Sequence, residues 1–384
     1  MNLFDYFDPT FITPVANGLE KKDSIMSKLQ FEIAQKLKIH KNSLVIIGVN
    51  ENRNSNNPGA SESADQIRKY LYSLSGSIVK YPLIDLGNLK KTPSPNNTYI
   101  ALQDVVKFIV SQGASCIVIG GTQELTWPTY LGVSEQTKPI NVTIIDQTID
   151  MGCDDGDFSS NCYMERFLKE PQENLFNLSL MGYQGYVTNT NHINAFQKKH
   201  AELIRLGTVR SAIEEVEPIF RDSNIVSFDM GCVRQGDSPG SVNPSPNGLY
   251  AEEFCQLTRY AGRSHRIKAF GIFDYNTKND PLGQSAHLAA QGIWHFIEAF
   301  NSSSRNLSLT DPKNYKRFYV KSPIPDIELV FLHNTVDETW WIELPASNKT
   351  PNKPLVIACS YNDYLMASKG EVPDRWIRNS RKMT

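Results

Sequence analysis

Residues 116–150 read CIVIGGTQELTWPTYLGVSEQTKPINVTIIDQTID, and two apolar runs in that stretch decide the fold. Cys116–Ile119 and Val142–Ile145 are of strand length and rich in β-branched residues. Similar runs recur at Leu44–Val49, Leu83–Leu86, Ile225–Phe228 and Lys268–Phe273. Between them lie SADQIRKYLYSL (63–74), YIALQDVVKFIVSQG (99–113), AFQKKHAELIRLG (195–207) and AEEFCQLTRYAG (251–262), whose apolar residues follow the i, i+3, i+4 spacing of helices. Runs that are apolar throughout mark strands covered on both faces, and strands alternating with helices imply a mainly parallel sheet. The fold class is therefore α/β. In such a sheet the loops at the carboxyl ends of the strands build the site. Two loops rich in Asn, Ser, Pro and Gly directly follow strands: ENRNSNNPGASES (51–63) and QGDSPGSVNPSPNG (235–248).

The chain has 384 residues, 40% hydrophobic and 21% charged, enough for a sizeable core and too apolar for wholesale disorder. No boundary is evident before about residue 305, so residues 1–384 read as one domain with an extension over 305–384. KRFYVKSP, IELVFLHN and TWWIELP look like strands appended to the main sheet, and SNKTPNKP (347–354) like a loop. The basic segment PDRWIRNSRK (373–382) reads as a solvated helix end, with a partner-binding segment as the sharper alternative. Trp340-Trp341 and Phe318-Tyr319 read as half-buried strand residues, or else as interface anchors.

Thirty-nine Lys and Arg stand against 41 Asp and Glu, a net charge of −2, which gives no nucleic-acid or anionic-membrane footprint. The opening MNLFDYFDPT carries no basic leader, and no apolar stretch is long enough to span a membrane. The expected address is cytoplasmic. Six cysteines without CxxC spacing read as buried free thiols, a Cys153–Cys162 disulfide being the alternative. Phosphate-loop and GxGxxG patterns are missing.

Three strand ends carry the chemistry: IVIGGTQELTW with Gln123, IIDQTIDMG with Asp146, Thr148 and Asp150, and VSFDMGCVRQGDSPG with Asp229 and Gly231. Here the sequence resembles the arginase (ureohydrolase) superfamily, over roughly residues 40–300. That family places Gly-Gly-Asp-His, Asp-x-His-x-Asp and Asp-x-Asp at three strand ends, which together give six ligands to two manganese ions. The resemblance implies a three-layer αβα fold. It maps the six ligand positions onto Gln123, Asp146, Thr148, Asp150, Asp229 and Gly231, and the family's substrate-holding acid onto Asp274. Three ligands survive, Asp146, Asp150 and Asp229. Both imidazoles are gone, and so is one carboxylate. Two ions about 3.5–4 Å apart need bridging carboxylates and terminal His or Asp donors. The dinuclear manganese centre is therefore expected to be lost, with no cofactor and no catalytic residue left. None of the seven histidines falls at a ligand position.

Without metal, three clustered acids would repel one another. Lys or Arg, backbone amides or shared protons are the available remedies, with Arg234 a candidate partner. The chain is most similar to a formimidoylglutamase-like branch found in Bacteroidetes, which WWIELP and VPDRW also resemble. That resemblance implies a catalytically inactive arginase-fold protein serving as a binding or structural part of a larger assembly. It points to a protein partner, with the outer-membrane translocon of type IX secretion as the one suggested, plugged by such a chain. A periplasmic address would follow from that role. Two alternatives stay open: a metal-dependent amidino or formimidoyl hydrolase with an altered centre, and a sensor that binds a cationic or polar ligand through Asp146, Asp150, Asp229 and Arg234.

Overall fold

The computed structural model describes residues 2–31, 38–153, 158–169, 173–303, 312–325, 327–345 and 355–383. The expected boundary at 305 and the loop 347–354 lie outside them. In chain order the strands are β1 (Phe7–Asp8), β2 (Leu29–Phe31), β3 (Leu44–Gly48), β4 (Leu83–Leu89), β5 (Ser115–Ile119), β6 (Ile140–Ile145), β7 (Leu175–Tyr183), β8 (Glu202–Arg205), β9 (Ile225–Asp229), β10 (Ala269–Phe273), β11 (Tyr315–Lys321), β12 (Glu328–Asn334), β13 (Trp340–Glu343) and β14 (Val356–Cys359). The helices are α1 (Ser63–Leu71), α2 (Pro95–Ser111), α3 (Thr126–Ser134), α4 (Met164–Lys169), α5 (Thr190–Lys198), α6 (Leu206–Ser211), α7 (Glu217–Asp222), α8 (Ala251–Arg263), α9 (Gln284–Ser302), α10 (Tyr361–Ser368) and α11 (Asp374–Ser380).

The first ten strands form one sheet in the order β1-β4-β3-β5-β10-β9-β6-β7-β8, with β2 also on β4. Every pairing in it is parallel except β1 with β4. Alternate residues of β3 show why the runs are apolar throughout. Leu44 and Ile46 enter a core shared with α1, α8 and α9, while Val45 and Ile47 enter a second core beneath α2, α3 and α4. Two buried faces give the αβα layering expected of the class. Among the described residues no helix is long and apolar enough to cross a membrane.

Three sequence expectations need correction. The helical spacing of residues 195–207 is broken: α5 ends at Lys198, His200 turns through a left-handed conformation (φ 53°), and β8 follows. The C-terminal strands are not appended to the main sheet. They make their own antiparallel sheet, β11-β12-β13-β14. The basic tail is not a free helix end, for α11 buries Trp376, Arg378 pairs with Glu202, and Lys382 reaches the Asn177 side chain of β7.

The small sheet is tied to the body through the end of α7. Arg221 is buried beside Glu217, stacks on the Trp341 ring at 4.7 Å, and donates to the carbonyls of Trp340 and Cys359 at 3.0 and 2.9 Å. Its neighbour Asp222 accepts from the Ala358 amide at 2.7 Å. Trp341 is fully buried, whereas Trp340 is half-buried and stacks on Tyr364. Tyr319 stays exposed.

Candidate functional site

The four central strands β5, β10, β9 and β6 are neighbours, and their register sets the site. Phe273 pairs with Asp229, and Phe228 pairs with Ile145. Asp229 therefore ends its strand beside Phe273, while Asp146 and Asp274 follow their strands by one residue. Gly120 and Gly121 leave β5 with φ of 86° and 70°, a left-handed region that suits glycine. A Cβ on Gly121 would also lie 2.4 Å from Leu125 Cδ1. This turn carries Gln123 in beneath the acids. Together with Thr148, Asp150, Gly231 and Asp274, the structure brings all seven sequence-selected positions to one end of the sheet.

Neutral hydrogen-bond donors take up the acids. With its amide oriented so that both ends are satisfied, Gln123 donates to Asp146 Oδ2 and the Tyr163 hydroxyl, each at 3.1 Å, and accepts from the Asp229 amide at 3.2 Å. Thr148 donates from its amide to Asp146 Oδ1 at 3.0 Å and from its hydroxyl to Asp150 Oδ1 at 2.9 Å. The Gly231 amide donates to Asp229 Oδ1 at 2.5 Å. Asp274, in a left-handed conformation (φ 57°), accepts from the Gln123 amide at 2.7 Å and from Asn57 Nδ2 at 3.2 Å. Arg234 takes no part: it pairs with Asp237 at 2.8 Å, which corrects its proposed role as a counter-charge.

Burial is the first cause of high carboxyl pKa values here. Asp146 lies well above the ordinary carboxylate range, through desolvation and then the charges of Asp150 and Asp229. Desolvation, with Asp274 next, does the same to Asp229. Desolvation pushes Asp150 up to about 6, against the pull of hydrogen bonds from Asp146 and Thr148. Asp274 is pushed up to about 7 in the same way, with hydrogen bonds from Asn57 and the Gln123 amide opposing. The Asp146 and Asp150 carboxyls act directly on one another, and a proton held by either one eases their repulsion. Neutral donors and retained protons, rather than Arg234, thus relieve most of the repulsion.

The cleft above this floor holds about 730 Å³. Its wall includes Asn56, Asn57, Ser160, Asn161 and the 241–246 segment, with Tyr186 and Val187 at the rim. A Cys153–Cys162 disulfide staples the wall next to Ser160, so those two thiols are not free as first expected. Cys116, Cys232, Cys255 and Cys359 are free. Sequence reasoning missed three contributors. His192 reaches from α5 to the Gly152 turn, and its charge lowers the Asp150 pKa. Tyr163 meets Gln123. Glu124, fully buried behind the floor, accepts from Thr122 and Tyr99. Glu124 follows Gln123 directly but falls on no ligand position of the motif, while His192 and Tyr163 are brought near by the fold alone.

The donor set does not fit two manganese ions. A carbonyl-type amide and a hydroxyl stand where two imidazoles are needed, and both are engaged with the acids that would ligate metal. At the sixth position Gly231 offers no side chain, and a Cβ there would lie 2.9 Å from Asp229 Oδ1 and 3.2 Å from Ser241 Oγ, so a carboxylate would enter only if those side chains gave way. Among the described residues, no group of three or more His, Cys, Asp and Glu side chains is arranged to hold a metal ion.

A mainly parallel sheet with a strand-end cleft of acids defines the class, and the comparisons give it a family. The arginase family profile matches residues 42–298, and the chain belongs to that family. It is 23% identical over 253 residues to the formimidoylglutamase of Salmonella paratyphi C, covering 63% of this chain and 79% of that one. The formimidoylglutamase of Bacillus subtilis superposes with a TM-score of 0.68 at 17% identity, over 75% of this chain and 95% of that one. The Trypanosoma cruzi formiminoglutamase with Mn²⁺ gives 0.66 at 21%, over 73% and 99%.

Proposed function

We propose that this chain is a catalytically inactive arginase-fold protein that works as a binding or structural component of a larger assembly, without a manganese centre. One observation carries this: Gln123 and Thr148 donate hydrogen bonds to the carboxylates that metal would need, while Asp229 folds back onto the Gly231 amide. Each acid is served internally, and a metal pair would have to displace those bonds without gaining an imidazole. The test is metal analysis of the full chain purified in excess Mn²⁺. Two tightly held ions per chain would sink the proposal.

As the finer assignment we take the plug of the type IX secretion translocon, with the outer-membrane complex as partner and a periplasmic address. The resemblance of WWIELP and VPDRW supports it, and so does the Cys153–Cys162 bridge, since disulfides persist in oxidising compartments. Recovery of the chain from the cytoplasm with all six thiols reduced would count against it. The hydrolase alternative draws on relatives named formimidoylglutamase. It requires urea or formamide release from guanidino or formimidoyl substrates when Mn²⁺ or Co²⁺ is added.

A further inference from the structure

We propose that the acid-floored cleft receives one basic side chain, a Lys or Arg, from an extended segment of a partner protein, while Tyr186, Val187, Pro244 and Pro246 grip the residues beside it. This names the partner chemistry of the assembly role above and rests on that role.

A cation beside these acids would draw them back to their charged form, so charge complementarity argues for the occupant. Asp146, Asp150, Asp229 and Asp274 line the cleft, and no Lys, Arg or His lines it among the described residues. Asn57 adds an independent sign. Only 2% exposed, it lines the same cleft, spends its Nδ2 on Asp274, and leaves Oδ1 without a hydrogen-bond partner. A buried acceptor left open costs free energy that an incoming N–H donor would recover. An ammonium or guanidinium offers only donors, so it can use these acceptors without the imidazoles that a metal pair demands.

The rim argues that the basic group arrives on a polypeptide. Tyr186 is 69% exposed and Val187 52%, and Pro244 and Pro246 are exposed across the mouth. A free amine would leave this apolar collar uncovered, whereas residues flanking a Lys or Arg would cover it. The cleft volume of about 730 Å³ lies within the range of sites that enclose a ligand. Aromatic side chains at the mouth of a pocket are common anchors of protein interfaces.

The experiment selects a phage-borne library of random dodecapeptides on the immobilised full chain, then measures the enriched peptides by fluorescence polarisation. The expected result is enrichment of Lys or Arg next to an apolar residue. Exchanging that residue for citrulline or norleucine should weaken binding at least tenfold, as should Asp229→Asn and Tyr186→Ser. The rim variant alters an exposed side chain, so it keeps the test alive if an aspartate variant misfolds. No enrichment, enrichment without basic residues, or binding indifferent to both Tyr186→Ser and the citrulline exchange overturns the proposal. Any of these leaves the assembly role standing, whereas two Mn²⁺ per chain removes that role whatever the peptides do.

Discussion

Replacing Glu124 by Gln should make the protein less sensitive to alkali. Glu124 is fully buried behind the floor of the cleft, with Oε1 accepting from Thr122 at 2.8 Å and Tyr99 at 3.2 Å, and no partner on Oε2. Burial first, and the Asp274 charge second, push its carboxyl from 4.5 up to about 8. A rise of that size corresponds to about 5 kcal/mol, taken as a ceiling because a buried charge draws in water and relaxes its surroundings. The sign follows from proton counting. Between pH 4.5 and 8 the unfolded chain has lost this proton and the folded chain keeps it, so raising the pH favours unfolding. The contribution is fully present below pH 4.5 and is gone above about 8. Gln is neutral throughout and retains an oxygen for Thr122 and Tyr99. Urea unfolding of both proteins at pH 5, 7 and 9 should show similar stabilities at pH 5 and a Gln variant ahead by about 2–5 kcal/mol at pH 9. A gap that stays constant over that range would refute the buried, protonated acid.

Restoring the lost ligands with Gln123→His, Thr148→His and Gly231→Asp together should create Mn²⁺ binding, read as a metal-dependent rise in melting temperature that the parent lacks. Gly231→Asp alone should cost about 1–3 kcal/mol, because Asp229 Oδ1 sits 2.9 Å from where its Cβ would lie. Arg68 is buried in a bidentate pair with Asp85, both contacts 2.9 Å, so Arg68→Ala should lose about 3–5 kcal/mol in chemical unfolding. Thiol titration of the denatured, unreduced protein from an oxidising compartment should find the four free cysteines, and Cys162→Ser should lower stability by about 2–3 kcal/mol.

The central strands were legible because they are covered on both faces and so lack polar interruptions. β7 was not, since Asn177 and Ser179 break its apolar run, and β8 hid inside a helix-like spacing that the left-handed turn at His200 cuts. The aspartates and their missing companions could be read from the strand ends. Their neutralisation could not. Asn57 meets Asp274 across 217 residues of chain and Gln123 meets the Tyr163 hydroxyl, contacts that only the folded sheet creates. Arg234 looked like a counter-charge because it follows Asp229 closely, yet Asp237 is nearer along the same turn and claims it.

The seam at α7 bears on how such a chain could have arisen. The family match ends at residue 298, but Arg221 and Asp222, which fasten the C-terminal sheet, lie well inside it. Without that sheet Arg221 would keep Glu217 and Asp222 would keep Arg266, but neither would have the backbone groups it now fastens. The fastening pair and the sheet are thus expected to travel together, and an Arg-Asp pair ending this helix should serve as a lineage marker, present in homologues that carry the added sheet and lost where it is lost.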